Sequence, residues 1–314
     1  MASGSPFGSS YDFGGAIASN KFGWDAGIRE IDMHPALVHL TPSKTKTLAL
    51  LGDTSFDSVS PEWMQVTLAS VDDNNAFAEG ADYTYEDENV PARIQQVTRI
   101  MRKTASVTGS QLKDRAFAAI RNKKKQQLGV RMLELKRDMN KAAINSAISN
   151  TNEATARKFR GILESISDAS NTEDAQIFNA TNLKAKLLRG VWDDNFDPTD
   201  LILTAVEQEL LDAFTAGHTK FLDATTKEVI DHVNVYDSAY GRINVTLERT
   251  AYLATGTVFV IDREYWKIAY FRKTWMEEPP KDGDRWRGVI QNEWGIQDLA
   301  SGNAGYSLTA VTAS

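Results

Sequence analysis

EWMQVTLASVDDNNAFAEGADYTYEDENVPARIQQVTRIMRK, residues 62–103, places seven carboxylates between Asp72 and Glu88 with no Lys or Arg among them. Arg93, Arg99, Arg102 and Lys103 then follow closely. Met64, Val66 and Leu68 recur at period two, which predicts a strand. The return limb, residues 92–110, is rich in β-formers, although Ile94, Val97 and Ile100 break strict alternation. The pattern predicts a long two-stranded hairpin with a bulge over residues 57–108, acidic at its far end. A two-stranded ribbon is marginal alone in water and needs further strands or another surface to pack on.

Outward from this ribbon, GSQLKDRAFAAI (109–120) reads as a short helix and NKKKQQLGVRMLELKRDMNKAAINSAISN (122–150) as a long one. In the long segment Leu128, Met132, Leu135, Met139, Ala142, Ala143 and Ala147 form one apolar stripe at three- and four-residue spacing. Asn122 is the predicted N-cap, and a helix to Ser149 would be about 40 Å long at ~1.5 Å per residue. Gly129 inside it costs about 1 kcal/mol relative to Ala, which suggests close packing there. Lys123, Lys124 and Lys125 open the helix where its dipole favours anions, so they are either a solvated turn or the mate of an acidic partner.

Upstream, residues 1–26 are rich in Gly and Ser with scattered aromatics, and the chain to about Ser60 reads as an extended arm with an apolar piece near Leu48–Leu51. Downstream, a polar stretch marks a boundary near residue 172. LKAKLLRGVWDD (183–194) reads as helical, DLILTAVEQELLDAFTAG (200–217) as a strand running into a helix, and residues 232–271 as several strands. The C-terminal part alternates strand-like pieces around a Gly/Asn turn. No internal repeat or heptad array is present, and the fold class is α+β.

The 314 residues suffice for about two ~150-residue domains. A net charge of -7 argues against a dedicated DNA-binding protein, though not against one that surrounds DNA. With no cysteine, disulfides, thiolate metal sites and a Cys nucleophile are excluded. The N-terminus lacks a secretory pattern, and no window holds the ~20 apolar residues needed to span a bilayer. The four histidines are His34, His39, His218 and His232, and Pro35 disrupts a helical pairing of the first two. There is no G-x-S-x-G, P-loop, H-E-x-x-H or dinucleotide fingerprint, and DYTYEDEN lacks EF-hand spacing. The glycan-like triplets at Asn179 and Asn244 mean nothing without a secretory signal. No catalysis, metal or cofactor is expected.

The order of these features resembles the major capsid protein of tailed bacteriophages, of the Hong Kong 97-type fold, and more closely its podophage-like branch. The resemblance rests on EWMQVTLAS with the acidic loop and returning strand to Gln111, on LELKRDMNKAAINS (133–146), similar to the family's spine helix, on ARKFRGILESI (156–166), and on the closing strands 266–308. DTSFDS (53–58) is the nearest counterpart of an Asp-Thr-Pro-type segment in the arm.

The resemblance implies an N-terminal arm (1–56), an extended loop (57–108), a peripheral domain with the spine helix (109–172), an axial domain (173–262) and peripheral return strands with the C-terminus (263–314). It implies hexamers and pentamers closing an icosahedral shell around double-stranded DNA that is enclosed without specific binding. A scaffolding protein and a portal would assist assembly in the host bacterial cytoplasm. The chain begins at Met1 without an acidic, helical pre-segment, so no long fused scaffolding domain is expected. In this fold the extended loop lies over a neighbouring subunit. Glu79, Asp82, Glu86, Asp87 and Glu88 are then expected to face a neighbour's basic residues, drawn from Arg99, Arg102, Lys103, Arg121, Lys123, Lys124 and Lys125. Some shells of this fold cross-link an extended-loop lysine to an asparagine; here no lysine lies between Lys46 and Lys103, so the contact is expected to be non-covalent. An encapsulin-like shell around protein cargo, and a cytosolic binding module or enzyme, are the alternative readings.

Overall fold

The computed structural model describes residues 44–69, 71–83, 85, 88–113, 122–149, 156–215, 234–281 and 283–310. In chain order the elements are α1 (Lys46–Leu50), β1 (Gly52–Ser55), β2 (Glu62–Gln65), β3 (Ala92–Gln95), β4 (Arg99–Thr108), α2 (Gly109–Lys113), α3 (Lys123–Asn145), α4 (Ile162–Asp168) and β5 (Thr172–Asp174). A helical run follows, with α5 (Ala180–Asn182), a π-helical stretch (Leu183–Leu188) and α6 (Arg189–Asp193). Then come β6 (Asp200–Leu203), α7 (Ala205–Thr215), β7 (Val235–Ser238), β8 (Gly241–Leu247), β9 (Val258–Ile261), β10 (Trp266–Glu277), β11 (Arg285–Asp298) and β12 (Gly305–Thr309).

The strands form a four-stranded sheet, β1-β10-β11-β4, a six-stranded sheet, β5-β12-β9-β6-β8-β7, and the two-stranded ribbon β2-β3. Helix α3 covers one face of the four-stranded sheet. Asn122 caps it, its side-chain oxygen accepting from Lys125 N at 3.1 Å. Leu135, Met139, Ala142 and Ala143 are buried as the stripe requires, in one core with Met101, Ile290, Trp294, Trp266 and Phe159. In the six-stranded sheet DLIL and VFVI of β6 and β9 are buried at every position, the pattern of central strands covered on both faces. At the start of helix α7 the buried Glu207 carboxylate reaches back to accept from Thr204 N at 3.2 Å and from the Thr204 hydroxyl, and across to accept from Gly256 N at 2.6 Å.

The structure departs from the sequence expectations at several points. The ribbon is short: only four residue pairs, Glu62↔Gln95 to Gln65↔Ala92, join β2 to β3. The return limb leaves it and pairs antiparallel with β11, from Arg99↔Trp294 to Thr108↔Arg285. Burial decides this, because Met101, Ala105 and Val107 alternate toward α3, whereas pairing with β2 would leave them in water. The break in alternation at Val97 is the buried joint Gln96–Thr98 between two sheets rather than a bulge.

Helix α3 ends at Asn145 instead of near Ser149. Gly161 N donates to Ser146 O at 2.7 Å, and Ser149 pairs with Lys158, so tertiary backbone bonds replace further helical ones. Gly129 is not closely packed: a Cβ there would meet nothing within 4 Å. The apolar piece near Leu48–Leu51 is a helical turn running into a strand parallel to β10, not free arm. Finally, β10 and β11 lie in the four-stranded sheet, but β12 crosses to the six-stranded one, pairing with β9 and β5. Residues 1–43, with His34 and His39, and residues 114–121, the rest of the expected short helix, lie outside the described residues, as do His218 and His232.

Candidate intersubunit interface

The extended loop is anchored firmly at its base and barely beyond it. Gln96 N donates to Pro61 O at 3.1 Å and Thr98 N to Val59 O at 2.9 Å, locking the two limbs. The buried Gln96 side chain bridges to the next segment, accepting from Arg160 N at 3.1 Å and donating to Arg160 O at 3.3 Å. Phe56 stacks on Trp63 with ring centroids 6.4 Å apart. The Gln65 side chain reaches the turn between β11 and β12, accepting from Ser301 Oγ at 2.9 Å and donating to Leu299 O. Glu62 pairs with Arg93 at 2.8 Å, on the surface.

Past Gln65 every described residue to Ala92 is exposed. Glu79, Asp82 and Glu88 point into solvent, as the acidic reading requires; Glu86 and Asp87 lie outside the described residues. The same segment also exposes large apolar side chains: Leu68 is 85% exposed, Phe77 73%, and Tyr83 and Tyr85 89% each. Met64, Val66, Val71 and Val90 are exposed with them. Met64, Val66 and Leu68 alternate as a strand would, but beyond Leu68 the apolar residues follow neither helical nor strand periodicity, and only a plain count over 71–90 finds them. Single exposed apolar residues are ordinary, but such a cluster on one projecting segment marks a contact surface.

The basic residues divide into engaged and available groups. Lys103 pairs with Asp138 at 2.6 Å. Arg99, half-buried beside the same carboxylate, has its guanidinium pKa pushed down by burial, with Asp138 opposing the shift. Lys123 Nζ donates to Gln111 O at 2.7 Å, and the Lys124 ammonium lies 5.3 Å from the centre of the Trp286 ring. Arg102 and Lys125 are exposed, and Arg121 lies outside the described residues. Among the described residues, no hydrogen bond or ion pair joins Glu79, Asp82 or Glu88 to this basic set. Among the described residues of one chain, then, the two groups are not brought together.

Among the described residues no group of three His, Cys, Asp or Glu is placed to hold a metal ion, and no helix is long and apolar enough to cross a membrane. What the geometry offers is a short ribbon, anchored at its base, followed by an exposed segment in which Glu79, Asp82 and Glu88 have no ion pair among the described residues.

Solved structures share the architecture. The chain of the cyanophage A-1(L) capsid asymmetric unit superposes with a TM-score of 0.65 at 9% identity, covering 92% of this chain and 98% of that one. A chain from the capsid of a native GTA particle gives 0.61 at 12% identity, covering 91% and 96%. One from Mycobacterium phage Bobi gives 0.60 at 10% identity, covering 90% and 96%. No curated protein sequence matches significantly. At such identities the superpositions establish the fold, the Hong Kong 97-type capsid architecture. Sequence carries the rest: the SU10 major capsid protein family model matches residues 13–305, nearly the whole chain. That match selects the viral shell over the protein-cargo and enzyme readings, and the chain belongs to the SU10 major capsid protein family, a structural, non-enzymatic component of the virion capsid.

Proposed function

We propose that the extended loop is the element by which this capsid protein completes its fold on a neighbouring subunit within and between capsomers. The observation that carries the reading is the exposed segment beyond Gln65, whose apolar side chains include Leu68, Phe77, Tyr83 and Tyr85. Its ribbon is held by four ladder pairs. Burying even half of those side chains in trans supplies several kcal/mol, at roughly 1.5–3 kcal/mol for each fully buried one. The surrounding carboxylates contribute less as exposed pairs, about 0–1 kcal/mol each, and act mainly on orientation and on keeping free subunits soluble.

In this reading the copies form hexamers and pentamers around double-stranded DNA, on a scaffolding protein and with a portal at one vertex, and the chain groups with the podophage-like branch. The net charge of -7 suits a container that must let its DNA leave. Replacing residues 71–88 by a short Gly-containing turn tests the proposal. The variant is expected to keep the wild-type far-ultraviolet spectrum and melting of the body while forming no shells by negative-stain microscopy. Normal shells from that variant would overturn it.

A further inference from the structure

A cleft of about 320 Å³ opens where the segment around α1 meets the turn after β8 and the start of α7. That volume lies in the range of small-ligand sites, ~300–1,000 Å³. Lys44 and Lys46 line it from the first segment, and Arg249 and Thr250 from the turn. All three cations are exposed, and among the described residues no carboxylate pairs with their side chains. Ala205, at the first position of α7, lines the cleft too. The first N–H groups of a helix have no partner within it, and Thr204, just before them, gives its hydroxyl proton to Glu207. Glu248, the carboxylate in the lining, is 2% exposed and already taken up by its own chain. Its Oε2 accepts from Thr47 N at 3.0 Å, Thr47 Oγ1 at 2.7 Å and Asn140 Nδ2 at 3.2 Å, and its Oε1 from Arg249 N at 3.1 Å. Arg249 O in turn accepts from Tyr252 N at 2.9 Å and Leu253 N at 3.1 Å. The cations therefore spring from a fixed backbone, three of them against one buried carboxylate, in a chain of net charge -7.

We infer that this cleft binds a phosphate group, and that the bound phosphate ties the segment around α1 to the six-stranded sheet. Like charges brought together from two elements repel, and an anion between them attracts both. Phosphate suits the lining better than a carboxylate does. It turns acceptor oxygens in several directions at once, whereas a carboxylate presents two in one plane. The lining matches that spread: two lysines act as point charges, the guanidinium of Arg249 as a fork, and the first turn of α7 as an N–H donor. The phosphate comes either from a nucleic-acid backbone or from the free anion, and the chemistry of the site is common to both. The inference stands on this cleft alone and does not depend on where the extended loop docks.

The test compares three forms of the full-length, unassembled subunit: wild type, the triple variant Lys44→Gln, Lys46→Gln, Arg249→Gln, and a control that loses the same charge elsewhere, Arg102→Gln, Lys125→Gln, Arg285→Gln. Thermal melting is followed in sodium phosphate, acetate and chloride at equal ionic strength, and binding of a short fluorescent DNA duplex by anisotropy. Phosphate is expected to raise the melting temperature of wild type and control above that in chloride, and to leave the triple variant unchanged. The duplex is expected to bind the triple variant about tenfold more weakly than the control, with a shallower salt dependence. The melting effect assigns the site to the free anion, and the duplex effect without it to a nucleic-acid backbone; either supports the inference. Acetate as effective as phosphate would point to a carboxylate partner and overturn it. So would a triple variant that matches the control with both probes. Wild-type subunit supplies a second measurement in case the triple variant fails to fold. Acetylation of Lys44 and Lys46, read by mass spectrometry, is expected to slow relative to Lys125 in the presence of phosphate or the duplex. Unchanged relative rates with both probes would overturn the inference.

Discussion

Glu293 and Arg272 form the central ion pair of the four-stranded sheet: Arg272 Nε donates to Glu293 Oε2 at 2.8 Å, with Nη2 of the same guanidinium at 2.6 Å. The sequence of β10 slips in register on both sides of Arg272, and this irregularity aims the side chain across to β11. The guanidinium also lies 4.8 Å from the centre of the Trp275 ring. Glu293 is 1% exposed, and its other oxygen accepts from Thr98 Oγ1 at 2.8 Å and Arg157 Nη2 at 3.0 Å. One carboxylate thus joins β10, β11, the segment before α4 and the joint at the base of the extended loop.

Removing that charge leaves two arginines without their counter-ion. Breaking a fully buried pair costs about 3–5 kcal/mol. Because both arginines are partly exposed, Glu293→Gln is expected to cost less, about 2 kcal/mol after discounting for solvent screening. Chemical denaturation of the unassembled subunit measures it. A change within ~0.5 kcal/mol, the range of ordinary surface substitutions, would contradict the role.

Asp298 should make stability pH-dependent. Its carboxylate accepts from Ser165 Oγ and from Ala300 N at 3.0 Å, yet burial dominates and pushes its pKa up from the ordinary value. A carboxyl that holds its proton more tightly when folded makes folding take up protons, so its contribution to stability improves as pH falls through the folded pKa toward the unfolded value near ~3.9. Asp298→Asn is close in shape, and its amide can donate to the Ser165 hydroxyl. The variant is expected to melt at or above the wild-type temperature at pH 7, with the difference shrinking as the pH drops toward 4. A difference that does not vary with pH would contradict this.

Two glycines should respond in opposite ways. Gly129 is exposed in the middle of α3 with open space around its Cβ position, so Gly129→Ala is expected to stabilise the free subunit by up to about 1 kcal/mol. Gly302 has φ +87°, and a Cβ there would lie 2.1 Å from the carbonyl oxygen of Ser165. Gly302→Ala is therefore expected to destabilise by well over 1 kcal/mol and to displace the turn that Gln65 grips. Thermal melts of the two variants check both signs. If Gly129→Ala stabilises the subunit but blocks assembly, a neighbour packs against that helix face.

Mature shells should dissolve completely in hot detergent. The loop supplies no amine, since no lysine occurs between Lys46 and Lys103, and the chain has no cysteine. Boiled shells are expected to run as a single band at the mass of one chain on a denaturing gel. Ladders of higher mass would reveal a covalent link made elsewhere in the chain.

Local and compositional features were determined by the sequence alone. The long helix, its Asn122 cap and its buried stripe follow from short-range periodicity, the strand-to-helix run read at 200–217 from its local pattern, and the acidic character of the loop from composition. The resemblance through the spine-helix segment and the closing strands carried the fold class further than periodicity could.

Tertiary structure decided everything that depends on which surface a segment meets. The return limb 99–108 has a strand's composition whichever partner it takes, and only the burial of Met101, Ala105 and Val107 under α3 assigned it to β11. The end of α3 was set by Gly161 bonding to Ser146, a contact between residues that propensity cannot link. The crossing of β12 into the other sheet was hidden likewise, since strand pairing is non-local and two sheets can compete for the same apolar pattern. Exposure of the loop's apolar residues was equally invisible, because hydrophobicity states what a side chain would gain by burial, and only the folded chain shows which side chains have been left without it.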